Sequence, residues 1–205
     1  MVPAMAATLR SAGITERCND GEILAAIYSF QLHKKGAIML NFILETVKAE
    51  QKEALLNIAE FYIYHFSTLK DIDLNEQGRW EFKPVLNYVD AEAEGRYAYF
   101  VRVEGKLAGF VLVSKDGDEG EAGIDEFFIM AKYRRNGLGQ AVARQLFDMF
   151  PGRWFVYEYF KNESAISFWR RVIGEYTNGN YVETPVDEPN GYVGFIQRFT
   201  AEGKA

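Results

Sequence analysis

The chain has 205 residues, 48% of them hydrophobic and 25% charged, an ordinary globular balance with enough length for one well-buried domain. A formal net charge of −6 and a pI near 5.1 exclude general binding to nucleic acid or to an anionic membrane, because a phosphate surface requires a basic counter-surface. No apolar run approaches the roughly 20 residues of a membrane span. The single cysteine, Cys18, leaves no disulfide or zinc-knuckle spacing and fits a reducing, cytoplasmic compartment.

Residues 1–38 carry no sustained period and no secretory h-region, whereas MLNFILETV (39–47) opens with strand-like alternation. Met39 therefore reads as a second beginning. Lys35-Gly36-Ala37 can be encoded by codons containing AGGAG, the purine-rich signal that bacterial ribosomes use upstream of a start. The expectation is an N-terminal extension or start-site artefact over 1–38 and a single domain over 39–205.

From Lys48 to about Ser67, Leu55, Ile58, Ala59, Tyr62 and Phe66 follow helical spacing, and Leu56, Phe61, Ile63 and Tyr64 add a second apolar side. The helix should be covered on most of its surface. Residues 70–94 mix turn signals with Trp80, Phe82, Leu86 and Tyr88 and predict a short irregular helical segment or lid. RYAYFVRVEGKLAGFVLVS (96–114) reads as a hairpin turning at Glu104-Gly105-Lys106. A charged, glycine-rich turn follows, then a strand in GIDEFFIMA (123–131), a helix over 140–150, a strand in WFVYEY (154–159), a helix over 163–174 and a strand in GYVGFIQRF (191–199). The order defines a mixed α/β (α+β) domain without internal repeats.

The junction YRRNGLGQ (133–140) carries the most chemistry. Glycines between a strand and a helix let backbone N–H groups converge, and the helix adds its positive N-terminal end, so the geometry suits an anion. A Walker loop would need Lys-Ser/Thr after the second glycine, but Gln140-Ala141 follow Gly139. A dinucleotide fingerprint would put a small third residue at Val142, and its turn would follow the strand more closely; Glu158, at the distance of a ribose-binding acid, keeps that reading as a minor one. The third pattern, Arg/Gln-x-x-Gly-x-Gly/Ala, is met at each fixed position by Arg134, Gly137 and Gly139.

Here the sequence resembles the GNAT family of acetyl-CoA-dependent N-acetyltransferases. FFIMAKYRRNGLGQAVARQLF is similar to the family's strand, pyrophosphate loop and helix, and Asn162, Ala165, Ile166 and Phe168 resemble its downstream asparagine-led helix. The resemblance runs from about Met39 to Phe199. It implies the GNAT fold, a mostly antiparallel central sheet flanked by helices with two central strands splayed apart. It implies acetyl-CoA as donor, a primary amine on a small molecule, amino acid or protein as acceptor, and direct transfer in a ternary complex. The backbone from Arg135 through Asn136, Gly137, Leu138 and Gly139 to Gln140 would wrap the pyrophosphate, with charge from Arg134 and Arg135. Phe128, Ile129 and Met130 would pair with the pantetheine arm and supply an oxyanion donor, and Asn162 would bond the cofactor near the splay. No metal, nucleic acid or membrane is expected as a partner; the pattern does not fix oligomeric state, a homodimer being compatible with it.

Two departures mark the chemistry. Where many relatives carry a proton-donating tyrosine, seven residues after the asparagine, this chain has Trp169, and where some carry a glutamate base on the fifth strand it has Tyr157. Asp125, Glu126 and Glu158 are the remaining acids near the slot, and Glu126 is the expected general base. Alternation puts Asp125 and Glu126 on opposite faces, and a bulge in this strand could reverse which of them points inward. A catalytically silent acyl-CoA-binding domain is the alternative, supported by Trp169. His33 and His65 are read as non-catalytic, the latter as packed or surface-facing.

Overall fold

The computed structural model describes residues 28–30, 41–116, 120–187 and 193–203. The expected extension over 1–38 therefore lies outside the described residues apart from 28–30, and the turn over 117–119 likewise.

Eight strands form one sheet: β1 (Tyr28–Phe30), β2 (Phe42–Thr46), β3 (Arg96–Val103), β4 (Lys106–Lys115), β5 (Ala122–Ile129), β6 (Gly152–Tyr159), β7 (Tyr181–Asp187) and β8 (Val193–Ala201). Their spatial order is β1-β2-β3-β4-β5-β6-β8-β7, and each neighbouring pair is antiparallel except β5 and β6. Among the described residues three α-helices flank it, α1 (Lys52–Phe66), α2 (Leu138–Met149) and α3 (Glu163–Tyr176).

The sheet separates two apolar layers. On one side α1 lays Leu55, Ile58 and Ala59 against Phe100, Phe110, Leu112 and Phe128, joined by Val85 and Val89. On the other, Val142, Leu146 and Phe147 of α2 and Trp169, Val172 and Ile173 of α3 pack on Val111, Val113, Trp154 and Phe199. Phe147 meets Trp154 edge-on at 5.1 Å and Phe199 at 4.8 Å, the geometry that aligns ring edges with ring faces. Both layers are dominated by side chains under a tenth exposed, so burial of apolar area holds helices to sheet.

Three features differ from the sequence reading. β7 was not anticipated, because Glu183, Thr184 and Pro185 interrupt its apolar alternation; it is an edge strand, the position in which a proline is tolerated. β1 adds a further strand at the opposite edge, pairing Tyr28–Phe30 with Phe42–Leu44. The second side of α1 is not covered throughout, since Ile63 is buried but Phe61 and Tyr64 are 59% and 64% exposed. Residues 70–94 form the expected irregular segment, with 3-10 turns at Lys83–Tyr88 and Glu92–Glu94.

Candidate active site

The parallel pairing of β5 with β6 lasts for three registers, Ala122 with Trp154, Gly123 with Phe155 and Ile124 with Val156. Gly123 permits the close approach at its centre, where an added Cβ would stand 2.3 Å from the Phe155 ring. Beyond Ile124 the strands part, because β6 stays paired with β8 to Tyr159 while β5 stays paired with β4 to Ile129. The fork opens a cleft of about 730 Å³ lined by Phe127–Ile129, Val156–Tyr159, the loop before α2 and the first turns of α3.

A bulge opposite Leu112 and Val113 puts Asp125 out of register with β4. It places both acids toward α1, which resolves the alternation problem posed by the sequence. Glu126 is hydrogen-bonded by Tyr62 of α1, and Asp125 by Ser114 and by Tyr88 of the 3-10 turn. Asp125 lines the cleft directly; Glu126 stands behind Tyr62, which does line it. Burial pushes the Glu126 carboxyl up to about 7; the Tyr62 bond opposes that and the charge on Asp125 adds to it. Burial also raises Asp125.

Beyond the bulge, Met130 N–H bonds Ala108 O at 2.8 Å across β4. Period-two alternation then turns the backbone groups of Ile129 and Phe127 the other way, toward β6 and the cleft. Of the three residues expected on this edge, Ile129 presents its main chain to the cleft, whereas Phe128 and Met130 direct theirs to β4. Arg134 Nε donates to Ile129 O at 2.6 Å, and its guanidinium lies over the Phe128 ring at 5.6 Å.

The loop itself alternates in handedness: Arg135 has φ +65° and Gly137, which caps α2, has φ +87°. Such alternation makes successive N–H groups converge into an anion-binding concavity. The Leu138 N–H is taken by Asn136 Oδ1 at 3.3 Å and the first helical bond runs from Ala141 N–H to Gly137 O, but the N–H groups of Gly137, Gly139 and Gln140 meet no backbone acceptor. These three donors at a helix N-terminus fit a pyrophosphate. Gly139 also lies 3.3 Å, measured from an ideal Cβ, from the Phe168 ring, so the loop packs closely on α3. Gln140 and Arg144 both bond Glu175 of α3, which ties α2 to α3 beside the loop. Arg135 is exposed and lines the mouth of the cleft.

Asn162 caps α3, its Oδ1 accepting from Ala165 N–H at 3.2 Å and Ser164 Oγ–H at 3.0 Å. The capping bonds occupy the oxygen and leave the amide nitrogen as the end that can reach a ligand in the cleft, which Asn162 lines. Trp169 is 5% exposed and set edge-on to Phe127 at 5.1 Å and Phe168 at 4.9 Å. Three residues of α1 also line the cleft, Tyr62, His65 and Phe66. Burial and then the charge of Arg134 lower the His65 pKa, so it is neutral near neutral pH. Helical spacing puts Tyr62 and Phe66 on the apolar face and reads His65 only as packed or surface-facing. Among the described residues no group of three or more His, Cys, Asp and Glu is placed to hold a metal, and no helix is long and apolar enough to cross a membrane.

Fork, loop and capped asparagine thus line one continuous cleft at the centre of the sheet. Residues 54–174 match the model of the acetyltransferase (GNAT) family, and the chain belongs to that family. Solved structures with the same fold include the ribosomal-protein-S18-alanine N-acetyltransferase of Escherichia coli, 16% identical, with 80% of this chain and 96% of that one covered at a TM-score of 0.54. The PaiA N-acetyltransferase of Thermoplasma acidophilum, in complex with coenzyme A, is 13% identical over 78% of this chain and 98% of its own, with a TM-score of 0.56. The microcin C7 self-immunity acetyltransferase MccE, bound to acetyl-CoA and AMP, is 14% identical over 78% and 92%, also at 0.56. No curated protein sequence is significantly similar to the chain.

Proposed function

We propose that this protein transfers an acetyl group from acetyl-CoA to a primary amine, on a small molecule, an amino acid or a peptide, by direct attack in a ternary complex within the cytoplasm. The observation that carries the reading is the fork between β5 and β6, with unbonded loop N–H groups at its mouth and a carboxyl on its α1 side. In this reading the catalytic domain runs from 39 to 205 and residues 1–38 extend it.

The N–H groups of Gly137, Gly139 and Gln140 hold the pyrophosphate, with Arg134, Arg135, Asn136 and Leu138 shaping the loop around them. The outward backbone of Ile129, flanked by Phe128 and Met130, pairs with the pantetheine arm, and Asn162 Nδ2 reaches the same arm from α3. Bound acetyl-CoA supplies a thioester carbonyl, an electrophile for an amine entering from the α1 side. The Ile129 N–H stabilises the oxyanion that develops as the amine attacks. Glu126 is the base: its carboxylate accepts the Tyr62 O–H, and Tyr62 takes the amine proton as it passes its own to Glu126. A carboxyl with a pKa near 7 is ionised enough to act at neutral pH and basic enough to be useful there.

The test is thiol release from acetyl-CoA across a panel of polyamines, amino acids, aminoglycosides and peptide N-termini, with thermal-shift stabilisation by acetyl-CoA measured in parallel. Stabilisation with amine-dependent thiol release is expected. Stabilisation without release from any amine would leave a silent acyl-CoA-binding domain, and no stabilisation would reopen the dinucleotide reading of the loop.

A further inference from the structure

Glu158 on β6 is 2% exposed, and neither of its carboxyl oxygens has a hydrogen-bond partner among the described residues, yet it lines the cleft. A carboxylate in such a place is expensive, because burial removes its hydration and nothing replaces it. The neighbouring polar groups among the described residues are bonded to Glu183 and not to Glu158. Arg170 of α3 is bound to Glu183 of β7 through Nε–Oε2 at 2.9 Å and Nη2–Oε1 at 2.6 Å. Gln197 of β8 spends its Nε2 on Glu183 at 2.7 Å, and its Oε1 is itself unpartnered. Burial first, and then the negative charge of Glu183, raise the Glu158 pKa to about 8 against a smaller opposing effect of Arg170. Its own strand adds only the phenols Tyr157 and Tyr159.

The position matters as much as the burial. Trp154, Val156 and Glu158 alternate onto the face of β6 that α2 and α3 cover, where Trp154 meets Phe147. Asn162 and Trp169 of α3 line the cleft on that side. The indole of Trp169 is locked between Phe127 and Phe168 and is no acid at any useful pH. Glu126 belongs to the opposite, α1 side of the fork. Carboxyls therefore flank the place where the thioester would sit on both faces of the sheet, Asp125 and Glu126 on the α1 side and Glu158 on the other.

We propose that Glu158 is the proton donor to the thiolate that leaves when the acetyl group is transferred, the task Trp169 cannot perform. This rests on the transferase reading above. As the carbon–sulfur bond breaks, its electron pair goes to sulfur, and the Glu158 O–H proton moves to that sulfur to give free thiol and a Glu158 carboxylate. The proton taken from the amine leaves through Tyr62 and Glu126 on the other face, and Glu158 regains one from solvent when the cleft empties. Amine and thioester thus become amide and thiol with no net proton change.

The experiment compares the wild-type chain with Glu158→Gln, an isosteric change that preserves packing, in thiol release from acetyl-CoA with the amine panel above. General-acid catalysis predicts a fall in kcat of about 100-fold with KM for acetyl-CoA within about threefold. The alkaline limb of the wild-type pH profile, near pH 8, disappears in the variant. Acetyl-CoA still stabilises the variant thermally, which separates loss of chemistry from loss of fold. If the wild type turns over and Glu158→Gln keeps both kcat and the alkaline limb, or loses only acetyl-CoA affinity, Glu158 is not the donor. If the wild type releases no thiol with any amine, the transferase reading itself fails and takes this assignment with it.

Discussion

Arg134 turns back along its own strand to donate from Nε to the carbonyl of Ile129 at 2.6 Å. The contact joins the two halves of the proposed cofactor site, since Ile129 supplies the edge for the pantetheine arm and Arg134 opens the pyrophosphate loop. The arginine therefore acts chiefly by fixing loop to strand, with its charge near the phosphates as a second effect. Arg134→Met removes the bond together with the guanidinium's contact with the Phe128 ring. A hydrogen bond from a charged donor is worth about 1.5–3 kcal/mol, so acetyl-CoA affinity should fall at least about tenfold, read by calorimetry. Undiminished affinity would assign Arg134 to loop stability alone.

Gly137 has φ +87° at the cap of α2, a conformation that costs a residue bearing Cβ roughly 1–2 kcal/mol. Gly137→Val adds a branched side chain where the free N–H groups converge. It should abolish acetyl-CoA binding and lower Tm by a few degrees. Gly139→Ala is the milder control: its Cβ would meet only the edge of Phe168, at 3.3 Å, and a ring can shift by the few tenths of an ångström required. Near-normal binding in Gly139→Ala beside none in Gly137→Val would locate the requirement in backbone handedness and not in loop volume.

Much of this architecture was legible in the sequence, for identifiable reasons. The hairpin at Glu104-Gly105, the loop at Gly137 and the helix begun by Asn162 are set by local turn and capping chemistry, and local chemistry is written in consecutive residues. What escaped notice depends on neighbours far along the chain. β7 exists because β8 offers it an edge, although Pro185 and Glu183 spoil its own alternation. A bulge is raised by the sequence reading, but that it sends Asp125 and Glu126 to one side follows from the register between β5 and β4, which neither strand shows alone. Glu158 reads as one acid among several until β6, β7, β8 and α3 close around it. His65 reads as packed or surface-facing until the fork turns its part of α1 toward a cleft.

The two carboxyls of the fork should give a bell-shaped dependence of rate on pH. Below about 7 Glu126 is protonated and cannot accept the amine proton, so activity rises through that value. Glu126→Gln should lower kcat by about two to four orders of magnitude and flatten the acid limb, leaving the alkaline limb in whatever activity remains. Tyr62→Phe breaks the relay without removing the carboxyl; it should lower kcat by about tenfold or more while acetyl-CoA binding is unchanged. An acid limb that persists in Glu126→Gln would transfer the base to Asp125, which lines the cleft itself.

Glu158 also makes a prediction for stability that does not depend on turnover. Its pKa is raised from an ordinary 4.5 to about 8 in the folded protein, so between those values the native state holds a proton that the unfolded chain has lost. Stability falls with rising pH wherever the native state binds more protons, so this group's contribution is complete below about pH 4.5 and is lost progressively up to about pH 8. Glu158→Gln removes that titration and keeps the shape. The difference in Tm between variant and wild type should be small near about pH 5, grow to several degrees in favour of the variant by about pH 8, and level off above it. Calorimetry across that range checks the sign directly: a difference independent of pH would mean that Glu158 ionises normally in the fold, and the buried, partnerless carboxyl would then have to be supplied with a donor from water in the cleft.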